Sequence, residues 1–552
     1  MHITHLRPCI HTIFPGVRKV MKYGTILKSL FISYINMIYT MILFQSLWQM
    51  NCFQIRKFHL PAPKQILPQN ISLTISASEM GISDEEWESL QRALDWPGPD
   101  QQITPLDLST SPVHSTFSIV EPKKSYKVGD NISVIITARD HNKNLKRYGG
   151  DFFKANYPLP FFLKASVYGE VVDHRNGTYS AILLLPWEGQ AQVFVRLEHS
   201  SEVVQILKKY RESSFPRSHY KGYFEGAGPN KARIRSWSKS NCCCEYKDIK
   251  TGTVWQCERP KKLACDKLVY HSKGGLENPL NPFEKQFFNR ITIHKKNECF
   301  FALGTTERCR SGLKTPVPAG FYLKDVWKSF VCNTQQFDSA QMLKCLQNKI
   351  VYMIGDSTTR QWFESEFKKI SNMLRSPDLN QSTGPLMAVE MKNNVIIHWR
   401  PHGVPLRFTV MPMTNLHYIS NYIDNIAGGP HVVVVFTLFA HLVFHPITFY
   451  VHEVAKIRQS VVALLSRAPQ TTIVIKSGNT AGIKVRLNIF QSDWYALQEN
   501  IVMKEMFRDI DGVIYFDIWQ MTSCHYLTEN VHPGPVIIAN AISVFLSYVC
   551  PV

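Results

Sequence analysis

Three absences narrow the reading of this 552-residue chain before any motif is considered. Between Lys28 and Arg56 there is no charged residue, and the run SLFISYINMIYTMILFQSLWQ is long enough to cross a bilayer even with Asn36 and Gln45 inside it. Arg7, Arg18, Lys19, Lys22 and Lys28 precede that run, which predicts a cytosolic N-terminus and a lumenal body. No small-residue cleavage site stands around Gln45 to Cys52, so a retained signal-anchor is favoured over a cleaved signal peptide, the alternative that a start at Met21 would make more conventional. The second absence is of CxxC pairs or spaced histidines beside the triplet Cys242, Cys243 and Cys244, and without them no metal site is expected. The third is of cysteine between residues 114 and 210, which excludes an inter-sheet disulfide there. Acid is also scarce. With 43 Asp and Glu against 62 Lys and Arg, the net charge of +19 points to nucleic acid, anionic lipid or acidic glycan as partner. A lumenal body leaves no nucleic acid to bind, so acidic glycans or glycoproteins are the expected partners, with the membrane engaged through the N-terminal segment.

The remaining cysteines agree with that compartment. Nine of the 13 cluster between Cys242 and Cys345, and Cys524 and Cys550 close the chain, as expected of disulfides in an oxidising lumen. Cys524 to Cys550 is one pairing that would pin the C-terminal loop to the last helix. Asn70, Asn131, Asn176 and Asn380 each head an N-x-S/T sequon.

The organisation reads as multi-domain. Residues 1–28 form the cytosolic N-terminus, 29–50 the membrane segment, and 51–113 a proline-bearing stem. Within the stem, Ser83 to Trp96 carries its own helix code: Ser83 with Glu86 as a capping box, Trp87, Leu90 and Leu94 on one face, and Pro97 as the stop. In residues 114–210 the apolar period becomes two, as at Ile132, Val134, Ile136 and Ala138. Asn176-Gly177 is a hairpin signal, and together these predict an immunoglobulin-like β-sandwich. Residues 211–317 are basic and cysteine-rich. From 318 to 552 strands and helices alternate: Ile350 to Ile354, His431 to Phe436, Thr472 to Lys476 and Gly512 to Phe516 as buried parallel strands, with helices Thr358 to Leu374, Tyr450 to Ser466 and Trp494 to Arg508. That pattern predicts a three-layer α/β domain.

The stretch around which the chain is organised is KIVYMIGDSTTRQWFESEF, Lys349 to Phe367. It reads as strand, glycine turn and helix, with Ser357 on the turn above the carboxyl edge of the sheet, where ligands of such sheets bind. A serine there is a nucleophile candidate with helix N–H groups beside it for an oxyanion; the same residue types also make an ordinary helix cap. Far downstream, HYLTENVHPGP places His532 on a loop before the apolar segment Val536 to Val549.

Gly-Asp-Ser followed by a loop histidine before the last helix resembles the SGNH hydrolases, in particular their PC-esterase branch. With PAGFYLKDVWKSFVC, the run His431 to Pro446 and the ending NVHPGPVIIANAISVFLSYVC, the chain resembles the neurexophilin and PC-esterase domain (NXPE) family over nearly its whole length after the membrane segment. The resemblance implies Ser357 as nucleophile, His532 as base, and Glu529 in the slot three residues earlier where the family pattern has aspartate. The orienting group stays open between Glu529, Asp517 and a Ser–His dyad. Asn479 in KSGNT is an oxyanion candidate or a plain turn. Arg360 and Asp356 are substrate-binding candidates, Arg360 equally a salt-bridge partner of Asp356 or Glu364. TLFAH puts Phe439 and Ala440 where the pattern has glycine and a polar amide. The implied activity is a serine O-acetyltransferase or esterase on glycans, sialic acid among them, with no bound cofactor and acetyl-CoA as acyl donor for transfer. The implied place is the Golgi lumen as a type II membrane protein, or outside the cell if the N-terminal segment is cleaved. The competing expectation is a non-catalytic, neurexophilin-like binding protein that takes a cell-surface partner through the immunoglobulin-like domain.

Overall fold

A computed structural model describes residues 76–98 and 105–550, apart from 124, 159–163, 214–216, 226–231, 236–243, 261–262, 273, 289–297, 302–306, 366–373, 376–383, 404–408, 483–488 and 528. The membrane segment, Asn70 and Asn380 lie outside the described residues. Among the described residues no helix is long and apolar enough to cross a membrane.

After a single helical turn at Ala77–Met80 comes α1 (Asp84–Leu94), capped as its sequence predicts, with the Glu86 N–H donating to Ser83 Oγ at 3.1 Å. The expected reciprocal half of the capping box is replaced: the Glu86 carboxylate accepts from both terminal nitrogens of Arg458. An ion pair to another element outcompetes the local bond, and it docks the amphipathic face of α1, with Leu90 and Leu94 buried, on the α/β part.

Antiparallel strands follow: β1 (Thr116–Ile119), β2 (Asn131–Thr137), β3 (Phe152–Pro158), β4 (Ser166–Asp173), β5 (Thr178–Leu184) and β6 (Phe194–His199). Strict alternation places Ile132, Val134 and Ile136 of β2 and Tyr179, Ala181 and Leu183 of β5 in one core with Val167, Val195 and Leu197. The Asn176-Gly177 turn joins β4 to β5. Gly177 has φ +83°, and a Cβ there would lie 2.1 Å from the Lys146 carbonyl oxygen. Asn131 and Asn176 are both exposed. The sheet order is β1-β2-β5-β4, and beyond β4 the sheet takes in two strands from much later in the chain, β7 (Gly320–Leu323) and β8 (Val326–Ser329). β3 pairs with β4 and β6. A helix, α2 (Ser201–Arg211), leaves β6.

The second sheet is the scaffold of the site. Its strands are β9 (Ile350–Gly355), β10 (Leu374–Arg375), β11 (Leu386–Glu390), β12 (Val395–Pro401), β13 (Val432–Phe436), β14 (Thr472–Lys476) and β15 (Val513–Phe516), in the order β10-β11-β12-β9-β13-β14-β15. From β12 to β15 the neighbours are parallel. The strands expected from the sequence at β9, β13, β14 and β15 stand within a residue or so of their expected bounds, whereas β12, the strand beside β9, is an addition to them. Its VIIHWRP ends in alternating apolar and polar residues and lacks the longer apolar run of the others, in keeping with one face that is buried and one that is only half-buried.

Alternate residues of β13 explain the three layers. Val432, Val434 and Phe436 face a core shared with α5 (Ile447–Arg467) and α6 (Asp493–Phe507), labelled after α3 (Ser339–Leu346) and α4 (Ser357–Ser365). Val433 and Val435 face Trp362 of α4, Met342 and Leu346 of α3, and Ile538, Ile542 and Phe545 of the last helix, α8 (Pro535–Val549), which follows α7 (Trp519–Cys524).

Three disulfides occur among the described residues: Cys244–Cys265, Cys309–Cys332 and Cys345–Cys550. Cys550 therefore pairs with Cys345 at the end of α3, not with Cys524. Cys524 and Cys257 are buried free thiols, so the cysteine cluster is not wholly oxidised. The Cys345–Cys550 bridge closes a span of 205 residues that contains the whole parallel sheet from β9 onward. Replacing both by serine should lower unfolding free energy by about 2–5 kcal/mol through the freed denatured chain. Urea unfolding of the two proteins checks this, and a midpoint unchanged by the replacement would refute it.

Candidate active site

At the end of β9 the backbone must turn sharply into α4 beside the end of β13. Gly355 makes this turn at φ +153°, and a Cβ on it would lie 2.6 Å from the Thr437 carbonyl oxygen. Asp356 follows, 1% exposed, as the hub of the turn. Its Oδ1 accepts from the Thr358 N–H at 2.8 Å and the Thr358 hydroxyl at 2.7 Å, and its Oδ2 accepts from the Ala440 N–H at 2.9 Å. Burial works to raise the Asp356 pKa, but Lys476 and His441 outweigh it and hold the carboxyl below its ordinary value. Lys476, at the end of β14, donates to Thr358 Oγ1 at 3.1 Å, and burial pushes its ammonium down to about 8 against the attraction of Asp356. Asp356 is thus a buried tie between three strand ends. The Ala440 N–H, which stands in the loop where the family pattern has oxyanion donors, is taken up by it.

Ser357 is the first residue of α4 and half-buried, and its Oγ lies 2.7 Å from Nε2 of the exposed His532. Residues 175 apart in the chain are thereby brought to hydrogen-bond distance, the reach a general base needs for a hydroxyl proton. Several elements place the histidine. The Asn479 side-chain amide donates to the carbonyl oxygens of Val531 at 3.0 Å and Thr480 at 3.1 Å, so it ties the strand-end loop after β14 to the histidine loop. The His532 N–H donates to Asn530 Oδ1 at 3.2 Å, and Gln361 of α4 donates to the Pro533 carbonyl at 3.1 Å.

Glu529 is directed elsewhere. Its Oε2 accepts from Lys154 at 2.8 Å and its Oε1 from Arg196, both on the antiparallel sheet. Burial works to raise its pKa, but Lys154 and Arg196 hold the carboxyl down at about 2. Asp517 accepts from the Trp519 N–H at 2.9 Å, two residues before α7 begins. Arg360 pairs with Glu364 at 3.3 Å and has its guanidinium 5.9 Å from the Trp399 ring.

A further pair was not foreseen in the sequence. His402 follows β12 and His441 follows β13, the two strands that flank β9, and His402 Nε2 lies 2.7 Å from His441 Nδ1. Burial, then His441, pushes the His402 imidazole down to about 3 against the pull of Asp356, which keeps it neutral. The available signal was a histidine directly after β12 and another in the loop five residues after β13, legible only once β12 is recognised.

The family model described as "NXPE family member 4-like, C-terminal domain" matches residues 327–550, and the neurexophilin model matches residues 95–277. Residues 327–550 belong to the NXPE C-terminal domain family and residues 95–277 to the neurexophilin family. The C-terminal part of the chain resembles the SGNH and PC-esterase hydrolases, and the NXPE match there runs from β8 through the Ser357–His532 pair to the last disulfide. Protein trichome birefringence-like 14 of Arabidopsis thaliana is 30% identical over 168 residues, a match that takes in 26% of this chain; the chain spans 40% of that relative's length. A solved acetyl xylan esterase from the rumen bacterium Butyrivibrio proteoclasticus overlaps 78% of this chain and 97% of its own at 9% identity and a TM-score of 0.16, a likeness too slight to carry any argument.

The Glu529 cluster predicts an acid limb in stability. A carboxyl held below its unfolded value contributes stability that is complete above roughly pH 4.5 and lost as pH falls toward about 2. Asp493, pushed up to about 6 by burial, titrates above that window. Thermal midpoints of wild type and Glu529→Gln between pH 5 and 2.5 should converge as pH falls, and curves that stay parallel would refute the assignment.

Proposed function

We propose that this chain is a serine acyl-ester enzyme of the secretory pathway, with Ser357 as nucleophile and His532 as the base that takes its proton. The observation that carries the reading is the 2.7 Å Ser357–His532 contact at the carboxyl edge of a parallel sheet, on a helix start whose geometry is fixed by a buried aspartate. In the proposed step the hydroxyl proton passes to His532 Nε2 as Oγ bonds to the ester carbonyl carbon. The proton then goes to the leaving alkoxide, which departs as an alcohol and leaves an acyl-Ser357. Water or a sugar hydroxyl completes the cycle by the same path in reverse.

The substrate we favour is an O-acetylated or O-acetylatable acidic glycan, sialic acid included, with acetyl-CoA loading the serine in the transfer direction. The net charge of +19 supports an anionic acceptor, and Arg360, three residues after Ser357 on α4, is the cationic substrate-binding candidate beside the nucleophile. Disulfides and the neurexophilin match support an oxidising compartment, with a Golgi type II topology as the finer reading. The antiparallel part is read as the immunoglobulin-like neurexophilin module. In this reading Asp356 supports the turn, and Asn479 and Glu529 secure the histidine loop.

The competing reading, a binding protein on a retired esterase scaffold, is favoured by the Ala440 N–H being spent on Asp356 and by Glu529 facing the antiparallel sheet. Incubating the whole lumenal chain with acetyl-CoA and a sialylated acceptor, or with an acetylated sugar alone, separates the two. Ser357→Ala should cut turnover by roughly 10³-fold or more, His532→Ala by a similar factor, and the double variant no further, because the pair acts as a unit. Turnover retained in Ser357→Ala would end the serine mechanism. Absent turnover in the wild type, with a cell-surface partner held equally well by Ser357→Ala, would favour the binding protein.

A further inference from the structure

Lys154 of β3 and Arg196 of β6 are direct cross-strand partners. Like charges placed opposite one another on a sheet repel, so this pair needs anions between them. Glu198, two residues after Arg196 on the same face, supplies one: it lies 3.3 Å from Lys154 Nζ and also pairs with Arg196. The other anions come from the α/β part. Glu529 sets one carboxylate oxygen on each cation, and Asp493, the first residue of α6, accepts from Lys154 at 2.6 Å. The Lys154, Glu198, Asp493 and Glu529 side chains are each at most 5% exposed. The group is a built and closed cluster.

Its position is what gives it a role. Glu529 lies three residues before His532, a span of roughly 10 Å at full extension. Asp493 also accepts from the Ala481 N–H at 2.7 Å, in the loop whose Asn479 amide holds the Val531 carbonyl. Lys154 therefore reaches the histidine loop from both sides, directly through Glu529 and indirectly through Asp493 and the 479–481 turn. Around the cluster the same sheet makes two more polar contacts with the α/β part, Asn156 to the Ser523 carbonyl at 3.2 Å and His199 to Ser492 at 2.7 Å.

We propose that Lys154 and Arg196 are positioning residues for the active site: through Glu529 the antiparallel sheet fixes the loop that aims His532 at Ser357. The proposal rests on the Ser357–His532 reading for its catalytic consequence, and on geometry alone for the anchoring. It makes the neurexophilin-matched segment a working part of the site, and assigns Glu529 to the sheet. A base displaced by about 1 Å costs on the order of 10²-fold in rate, so an anchor of this kind is visible in turnover.

The test compares the full lumenal chain with Arg196→Gln, chosen because the Arg196 side chain is 24% exposed and its loss spares the most buried members. Hydrogen exchange followed by mass spectrometry reads the anchor, and the rate at which a fluorophosphonate probe labels Ser357 reads the site. Arg196→Gln should speed exchange in the peptide spanning 529–532 and slow labelling, each by roughly tenfold. Peptides from β9 and β13 should keep their protection, and Arg196→Lys should label at a rate between those of Arg196→Gln and wild type. Unchanged exchange at 529–532, a uniform loss of protection across both sheets, or faster exchange with undiminished labelling would each overturn the proposal. If the wild type itself is not labelled, the serine mechanism falls, and the exchange data alone decide the anchor. Should Arg196→Gln fail to be secreted, Arg196→Lys, which keeps the charge and loses the two-pronged fork, should show the same changes to a smaller degree, and no change in it would count as refutation.

Discussion

The site depends on a carboxylate buried where no water reaches it. An ionised aspartate taken out of water is costly unless its oxygens find donors and its charge a counter-ion. Asp356 finds two donors on Thr358, a third in the Ala440 N–H, and a cation in Lys476. Each belongs to a different part of the edge: the start of α4, the loop after β13, and the end of β14. Satisfying one charge therefore fixes the relative positions of three chain segments, and Ser357 is carried on the first of them. The same bonds explain why Gly355 and Asp356 precede the serine. One residue lets the backbone pass within reach of Thr437, and the other locks the turn once made.

A second charge cluster does the corresponding work for the histidine, but across a longer distance in sequence. Lys154 and Glu529 are 375 residues apart, and the antiparallel sheet itself borrows β7 and β8 from just before the parallel sheet begins. The two sheets are thus interleaved in the chain. The polar contacts of Lys154 reach the loop that bears His532, and the half-buried disulfide Cys345–Cys550 ties α3 to the end of α8.

What was legible in the sequence follows from which interactions are local. Strand β9, the turn at Gly355, Ser357 and α8 all announce themselves within a few residues, because apolar runs, a glycine and a helix start are local signals. The Ser83 cap of α1 was equally plain. Its Glu86 was misjudged, since the bond it makes to Arg458 depends on an element 372 residues away. β12 was passed over because it alternates, and with it the histidine pair that flanks the nucleophile. The Cys345–Cys550 bridge and the free Cys524 were beyond reach for the same reason that any pairing is: cysteine spacing does not encode it. Lys154 and Arg196 carried no signal at all, being two basic residues in alternating strands whose meaning comes only from the anions delivered to them.

Glu529 draws these strands together. Read against a family pattern it is a departure, one methylene longer than the aspartate expected in its slot, and the first physical question was whether it still reaches the imidazole. The structure gives that extra length another use. A carboxylate that must touch Lys154 and Arg196 at once, from a loop on the far side of the interface, needs reach and two accessible oxygens. The acid's charge is consumed, beside those of Glu198 and Asp493, in balancing two cations that face each other across a strand pair. Because burial alone would raise its pKa and the cations bring it down to about 2, the carboxylate is ionised at neutral and mildly acidic pH and the loop keeps its anchor there. An acid committed in this way orients a histidine by holding the backbone that bears it, a constraint on position in place of a bond to the ring.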